Sequence, residues 1–360
     1  MLKQELKKIF IKRYYAVILL ALLAAEIILC VVQSNKEGLS GFNKEAYARF
    51  VETYAGEITA EKEKLLETSF LYLDNADDLR MLGEQFYQSG DITSEELAQL
   101  QAELQQYMSG RTGLGGFREH YAYASAKPGR EIINNEAWRE IFENDTSDLI
   151  IVLAIIVFTV SAFVAENETN FTLLRLTTPK GRKALYRADL AIGMFSSALF
   201  SVLCSALRLG VGQIKWDLHD FGAPLESLEV FENTPFAGTL LGGYLTAAFL
   251  KALGAAAFVA FCFILGNLFT SSVTVLLAGL LSVLLPQYVL RDARIYYVSP
   301  VSLLRGTGFL YGNVILEEAG ELPFTVSEAA GAMALPVSLF IAALIVLCAF
   351  LFCKKRGAVK

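Results

Sequence analysis

Residues 15–33 read YAVILLALLAAEIILCVVQ and contain a single charged side chain, Glu26. A run this long and apolar is typical of a transmembrane helix, because ~20 helical residues cross the hydrocarbon core of a bilayer. Basic residues precede the run, as they do in a signal peptide. The run is nevertheless long for a signal core, and no small-residue cleavage site follows it. The stretch therefore predicts a retained first membrane span.

Comparable runs predict six spans in all. The chain is 54% hydrophobic with a mean hydropathy of +0.44, and helices satisfy their own backbone groups where no water is present. The predicted fold class is all-α, with six transmembrane helices and a helical extracytoplasmic domain between spans one and two. The spans are placed at 15–33, 149–165, 190–209, 245–270, 273–290 and 336–353.

The orientation of the spans follows from the distribution of Lys and Arg. Residues 1–14, 166–188 and 354–360 together carry 14 basic residues beside three acidic ones, whereas residues 34–148 carry 11 basic and 22 acidic residues. The basic side is predicted to be the cytoplasm. Both termini and the 166–189 loop are then cytoplasmic, in a bacterial plasma membrane.

The remaining segments are assigned from this topology. Residues 1–14 have apolar residues at helical spacing among lysines, which favours an amphipathic helix on the inner leaflet over a simple basic flank. Residues 210–244 and 291–335 are predicted extracytoplasmic loops. The apolar run 236–270 exceeds one span, so its first part is open between a re-entrant segment, an interfacial helix and a tilted extension.

The polar insert, residues 34–148, has mainly helical patterns. Thr93 and Glu96 have the spacing of a capping box at a helix start. Leu97, Leu100, Leu104 and Met108 then form one apolar stripe. An earlier helix is predicted from Thr59 to Leu73, with Leu65, Leu66 and Phe70 inward, and the glycine-rich stretch 109–119 is predicted to be a flexible break.

Catalytic and metal-binding signatures are lacking in the sequence. The five cysteines lie within or at the end of apolar runs, the two histidines are far apart, and no metal-ligand spacing occurs. The phosphate-binding G-x-x-x-x-G-K-[ST] pattern and the G-x-S-x-G nucleophile pattern are also missing. We therefore expect no enzyme activity, no metal and no cofactor in this chain, and no nucleic-acid partner.

Three charged residues fall inside predicted spans, where ionisable groups are costly and often functional. These residues are Glu26, Arg208 and Lys251, all placed toward the outer side. One hypothesis pairs Glu26 with Arg208 or Lys251 across helices. The alternative is that the two basic side chains extend to the outer interface and that Glu26 is neutral.

The loop between spans two and three, residues 166–189, begins ENETNFTLLRLTTPKGR. Phe171, Leu173, Leu174 and Leu176 suit a short amphipathic helix. Pro179 cannot continue that helix, and Gly181 allows a sharp turn. Positive charge explains the cytoplasmic placement of the loop, but it leaves the apolar cluster unexplained.

This loop resembles the corresponding loop of ABC-2 type permeases, the membrane subunits of bacterial ABC transporters. The resemblance rests on an acidic residue after span two, a Leu-rich helix, and a turn containing Lys, Gly and Arg. The sequence departs from the family where Gly-Thr often follows the acidic residue, since Glu168-Thr169-Asn170 stands here. The six-span layout, the amphipathic N-terminus and the Pro300 stretch also agree, and the large insert is similar to that of one subgroup.

The resemblance implies a mechanical role. A separate ATPase subunit would carry ATP and Mg²⁺, dock on the loop and drive export of a peptide, antibiotic or lipid-like substrate. A second permease subunit, identical or different, would complete the path across the lipid bilayer. The implied docking residues are Glu166, Phe171, Leu173, Leu174, Arg175, Leu176, Pro179, Gly181 and Arg182.

Two other functions fit parts of the sequence. A membrane sensor or receptor would use residues 34–148 to bind a ligand, although only short cytoplasmic pieces are available for signalling. A secondary transporter would be expected to show related halves or polar sites at the bilayer midplane, and few polar residues lie there.

Overall fold

The computed structural model describes residues 15–33, 44–109, 111–143, 147–161, 181–216, 218–232, 234–269, 271–285, 302–306, 309–310 and 328–356. This part of the chain is mostly helical, as predicted. Its short strands β1 (Gly56–Glu57) and β2 (Glu131–Ile132) form one antiparallel pair.

Three described helices are long and apolar enough to cross a bilayer, which indicates a membrane protein. They are α1 (Tyr15–Gln33), α9 (Gly181–Trp216) and α10 (Leu240–Leu268). The described parts of the other predicted spans are helical too, in α8 (Ser147–Thr159), α11 (Ser272–Leu284) and α13 (Glu328–Arg356). The six-span layout itself stays a prediction.

Helix α9 extends beyond the predicted span 190–209 at both ends. It begins at Gly181, so residues 181–189, predicted as loop, form its first turns. Gly181, for which the sequence allowed a sharp turn, is the first helical residue. The segment that follows, GRKALYRAD, is rich in good helix formers, which explains why the helix starts this early.

Most of the apolar run 236–270, whose path the sequence left open, lies in helix α10. It is one continuous helix that starts at Leu240, and Thr239 caps it by accepting a hydrogen bond from the amide of Gly242 at 3.1 Å. Residues before Thr239 belong instead to a turn region in which Pro224 bridges to Thr239.

The polar residues 44–143 fold as a set of packed helices, termed here the polar domain. In order these are α2 (Lys44–Tyr54), α3 (Ala60–Asp74), α4 (Ala76–Ser89), α5 (Ser94–Ser109), α6 (Arg111–Ser125) and α7 (Asn135–Glu143). Helices α2, α3 and α6 share a core that centres on Phe117, with Tyr47, Leu66, Phe70 and Ile132 around it. Helix α7 packs in a separate apolar cluster together with residues of 218–247. The capping box is confirmed, since the amide of Thr93 donates to Glu96 at 2.8 Å and the amide of Glu96 donates to Thr93 at 3.3 Å.

Two expectations for this domain are wrong. Leu65 points outward and is 54% exposed, whereas Leu66 and Phe70 are buried. The stretch 109–119 is not a break, because α6 runs from Arg111 to Ser125. Phe117 is completely buried against the aromatic rings of Phe50, Tyr54 and Phe70. Burial of this ring outweighs the low helix propensity of the nearby glycines, which is worth only about 1 kcal/mol per residue.

A short helix, α12 (Ser302–Arg305), packs directly on α10. The contact is so close that a Cβ on Gly254 would lie 2.7 Å from the amide nitrogen of Leu304. Gly306, the next residue, has a φ of +59° and packs against the backbone of Ala247. The Oγ atoms of Ser302 and Ser338 lie 3.3 Å apart, which links α12 to α13. Residues 302–306, part of the predicted 291–335 loop, are therefore packed between two apolar helices.

Candidate functional site

Most of the predicted ATPase-docking residues lie outside the described part of the chain. These are Glu166, Phe171, Leu173, Leu174, Arg175, Leu176 and Pro179. Gly181 and Arg182 open α9. The candidate site that the structure does describe is the set of contacts made by the three predicted intramembrane charges, of which Arg208 reaches the polar domain.

Arg208 fastens α9 to the end of α7. Its side chain is 5% exposed; Nε donates to the carbonyl of Ile141 at 3.2 Å, and Nη2 donates to that of Glu140 at 2.9 Å. Both carbonyls lie in the last turn of α7, the end of a helix where carbonyls need partners from outside it. The guanidinium donates to both and places its charge at the negative end of the helix dipole.

Lys251 makes a comparable link from α10 to the start of α8. The side chain is 2% exposed, and Nζ donates to Oγ of Ser147 at 2.8 Å. A cation beside a helix N-terminus is disfavoured by the helix dipole. Asp148, buried in the same turn, accepts the amide of Leu149 at 2.9 Å.

Glu26 is the third charge and is fully buried on α1. The Sγ of Cys30, one turn later, donates to Glu26 Oε1 at 3.5 Å. The described bonds of Arg208 and Lys251 lead to α7 and α8, and their side chains are buried in protein rather than extended to solvent. A pairing of either one with Glu26 stays a prediction.

The connector between α9 and α10, residues 218–232, binds the polar domain from a second direction. Arg130 forms an ion pair with Glu232 at 3.1 Å, and its guanidinium carbon lies 4.0 Å from the ring centroid of Tyr123. The hydroxyl of Tyr123 donates to the carbonyl of Glu226 at 2.8 Å. Since one of these charges is buried and the other half-exposed, the contact is more than a solvent-screened surface pair.

Asp220 adds a polar contact beside α7. Its Oδ2 accepts the backbone amide of Asn134 at 2.9 Å, immediately before α7 begins. Burial raises the pKa of this carboxyl, although the amide of Asn134 acts in the opposite direction. The connector thereby holds the N-terminal end of α7, while Arg208 holds its C-terminal end.

An aromatic cluster fills the space between these polar contacts. Trp138 meets Phe221 edge-on at a centroid distance of 5.6 Å, and Phe142 meets Phe231 at 4.8 Å and Tyr244 at 5.9 Å. The hydroxyl of Tyr244 donates to the carbonyl of Ser205, which lies one turn before Arg208. Edge-to-face rings of this kind add specific geometry to apolar burial, so α7 is fixed against both α9 and α10.

Sequence reasoning missed α7 as part of the site. The signal was present: Ala137, Trp138, Ile141 and Phe142 have the three-and-four spacing of an amphipathic helix. Asp189, a buried carboxyl on α9, was also missed because residues 181–189 were predicted to be loop.

The described polar contacts of this site join helices to one another. Within the ranges that the structure describes, no group of three His, Cys, Asp or Glu side chains is placed to hold a metal ion. Cys30, Cys204 and Cys262 are buried. The described hydrogen bonds of Arg208 and Lys251 lead to main-chain carbonyls and a hydroxyl on other helices.

Comparison with known proteins assigns this chain to no family. No protein-family model, no curated protein and no solved structure matches this chain.

Proposed function

We propose that this chain is the permease subunit of an ABC transporter, driven by a separate ATPase subunit that docks on residues 166–189. The proposal starts from the loop sequence, whose apolar cluster at Phe171, Leu173 and Leu174 exceeds what a charged connector needs. A second argument is the excess of Lys and Arg on one side of the predicted topology, which favours a cytoplasmic position for that loop.

The observation that carries the proposal furthest is the continuity of α9. This helix begins at Gly181, at the end of the proposed docking loop, and runs unbroken for 36 residues to Trp216. At ~1.5 Å per residue such a helix is longer than the hydrocarbon core is thick. Near its far end, Arg208 is bonded to α7 of the polar domain. Movement of the loop would therefore reach the polar domain through one rigid element.

In this proposal two permease subunits form a path that opens and closes as the ATPase pair binds and hydrolyses ATP. ATP and Mg²⁺ belong to the ATPase, and the substrate class is a peptide, an antibiotic or a lipid-like molecule moving outward. The polar domain lies outside the cell and moves with α9 and α10, since its α7 contacts both helices.

Copurification tests the proposal directly. The tagged full-length chain, purified from its own host membranes, is expected to retain an ATPase subunit detectable by mass spectrometry and by ATP hydrolysis. The double variant Leu173→Asp/Leu174→Asp is expected to lose that subunit, because buried apolar anchors dominate such interfaces. Protease accessibility of residues 44–143 should stay unchanged, which would show that membrane insertion survives.

A matched control places two Asp residues in the C-terminal tail, at Gly357 and Ala358, and should keep the ATPase. Retention of the ATPase by the Leu173/Leu174 variant would overturn the docking assignment. Absence of any ATPase from the wild-type preparation, together with absence of an ATPase gene beside this one, would overturn the function.

A further inference from the structure

Helices α4 and α5 form a hairpin, and both helices are capped at the turn that connects them. Gly90, with a φ of +83°, ends α4 in the left-handed conformation, and the amides of Gly90 and Asp91 donate back to Tyr87 and Phe86. The capping box of Thr93 and Glu96 then starts α5. The hairpin is thus held at its tip by caps on both helices.

The two helices approach closely along one seam. A Cβ on Gly83 would lie 2.5 Å from Cδ2 of Leu100 and 3.6 Å from Cδ1 of Leu97, so only glycine fits here without a shift. Leu97 and Leu100 are half-buried, although they lie at the centre of this contact. Because these two leucines stay half-buried, α4 and α5 together do not cover the seam completely.

Large apolar side chains border the same seam and remain open to solvent. Leu82, Phe86 and Tyr87 are 46%, 45% and 46% exposed. Phe86 and Tyr87 follow Gly83 by three and four residues, which places them on its face of the helix, and Leu82 lies one turn before Phe86. A cluster of this kind at a polar surface marks an interaction site more often than scattered single residues do.

The hairpin is also strongly acidic. Residues 76–109 contain seven acidic residues and one basic residue, Arg80. Among its exposed carboxylates, Asp78 and Glu84 lie one helical turn before Leu82 and Tyr87, and Asp91 lies at the tip of the hairpin. A second copy of the hairpin or an anionic lipid surface would meet like charge, which is unfavourable at a contact, whereas a cationic partner would be attracted and steered toward it.

We propose that the α4–α5 hairpin is a docking surface for a cationic amphipathic helical peptide. The apolar face of the peptide lies along the seam on Leu82, Phe86 and Tyr87, and its Lys and Arg side chains meet the surrounding carboxylates. This is the helix-in-groove mode, in which apolar residues spaced three and four apart supply the anchors. The proposal is independent of the transport function and of the direction of transport.

Site-specific photocrosslinking tests this docking surface. The full-length chain carries p-benzoylphenylalanine in place of Phe86, in nanodiscs of phosphatidylcholine. The probe is a labelled Leu/Lys peptide of about 18 residues, or five helical turns. Placement of the photoreactive group at Met81 is the matched control, because Met81 is also about half exposed but lies two residues before Gly83, on the opposite face. Crosslinking from position 86 is expected to exceed that from position 81 at least about tenfold.

Charge and pattern are tested with the same readout. A Leu/Glu peptide and a scrambled Leu/Lys peptide of equal composition should crosslink weakly. The variant Asp78→Asn/Glu84→Gln should weaken crosslinking of the Leu/Lys peptide about tenfold, whereas Glu61→Gln/Glu63→Gln on α3 should leave it unchanged. Circular dichroism of each variant verifies that the helices are intact.

Several outcomes would overturn the proposal. Equal crosslinking from positions 86 and 81, or equal crosslinking of the Leu/Glu peptide, would show that the seam does not select a cationic helix. Without peptide, a crosslink from position 86 to lipid would assign the seam to the bilayer. A crosslink to another copy of the chain would assign it to self-association.

Discussion

The guanidinium of Arg208 donates to the carbonyl of Glu140 at 2.9 Å across 68 positions of sequence. One residue of an apolar helix thereby donates to the end of a helix in the polar domain. The neighbouring carbonyl of Ile141 accepts Nε of the same side chain, so the contact is made through two donors. Because the acceptors are main-chain atoms, the geometry depends on where α7 ends and not on which side chains it carries.

Replacing Arg208 with Met is expected to loosen α7 from α9. The variant keeps much of the aliphatic volume but removes two charged hydrogen bonds, each worth roughly 1.5–3 kcal/mol, so the free energy of unfolding should fall by about 3 kcal/mol. Fluorescence of Trp138, which is buried on α7, reports the change when the other tryptophan is removed by Trp216→Phe. Arg187→Met, exposed on the same helix, should have little effect. An unchanged unfolding midpoint for Arg208→Met would contradict the role assigned to this side chain.

The bond between Lys251 and Ser147 should appear as an energetic coupling. Ser147→Ala removes an acceptor from a buried ammonium and is expected to cost about 1–3 kcal/mol. The same substitution should cost less after Lys251→Met, with a coupling of at least ~0.5 kcal/mol in a double-mutant cycle measured by thermal unfolding in detergent. Ser201→Ala is the control, since its buried Oγ forms no hydrogen bond within the described residues. Additive effects of the two substitutions would exclude the coupling.

Local patterns predicted local structure well. The spacing of Thr93 and Glu96 predicted the capping box because both partners lie within one turn. Periodicity could not decide between adjacent leucines: it predicted both Leu65 and Leu66 inward, although only Leu66 occupies the core. Phe117 shows the limit of propensity: its burial against rings from α2 and α3 holds α6 helical, and those contacts are distant in sequence.

The buried charges were predicted as individual residues but not as contacts. Arg208 and Lys251 stood out because charge is rare within apolar runs. Their described acceptors are two helix-end carbonyls and a serine hydroxyl, which no charge-pairing argument would select. The start of α9 at Gly181 was missed for a different reason, since positive charge and a preceding proline are typical of a loop.

Gly254 allows α12 to pack directly on α10, so its replacement by Ala should be destabilising. A Cβ there would meet both Leu303 and the backbone of Leu304, with contacts of 2.7–2.8 Å. Overpacking of this kind typically costs about 1–3 kcal/mol. Gly210→Ala on α9 is the matched control, because the added methyl group would have no neighbour within 4 Å and Ala favours a helix by up to ~1 kcal/mol. Thermal unfolding in detergent should separate the two variants in opposite directions, and equal midpoints would refute the close-packing argument.

His120 should make the stability of the polar domain depend on pH. It is 4% exposed, and Nε2 accepts the backbone amide of Ile133 at 3.3 Å, so the neutral ring must carry its proton on Nδ1. Burial lowers the pKa of His120 from 6.5 to about 4. Protonation would also turn Nε2 from an acceptor into a donor facing another donor.

The direction in which stability changes with pH follows from proton binding. Between the two pKa values the unfolded chain binds a proton that the folded domain does not, so acid favours unfolding. The stabilising effect of the neutral ring is fully present above pH ~6.5 and is lost progressively as the pH falls toward about 4, by roughly 3 kcal/mol in total. His120→Gln keeps an acceptor for Ile133 but does not titrate, and should flatten this part of the stability curve. Unfolding of the wild type and the variant at pH 4 to 8 measures the difference, in which contributions from the carboxylates cancel; parallel curves for the wild type and His120→Gln would show that His120 is not the titrating group.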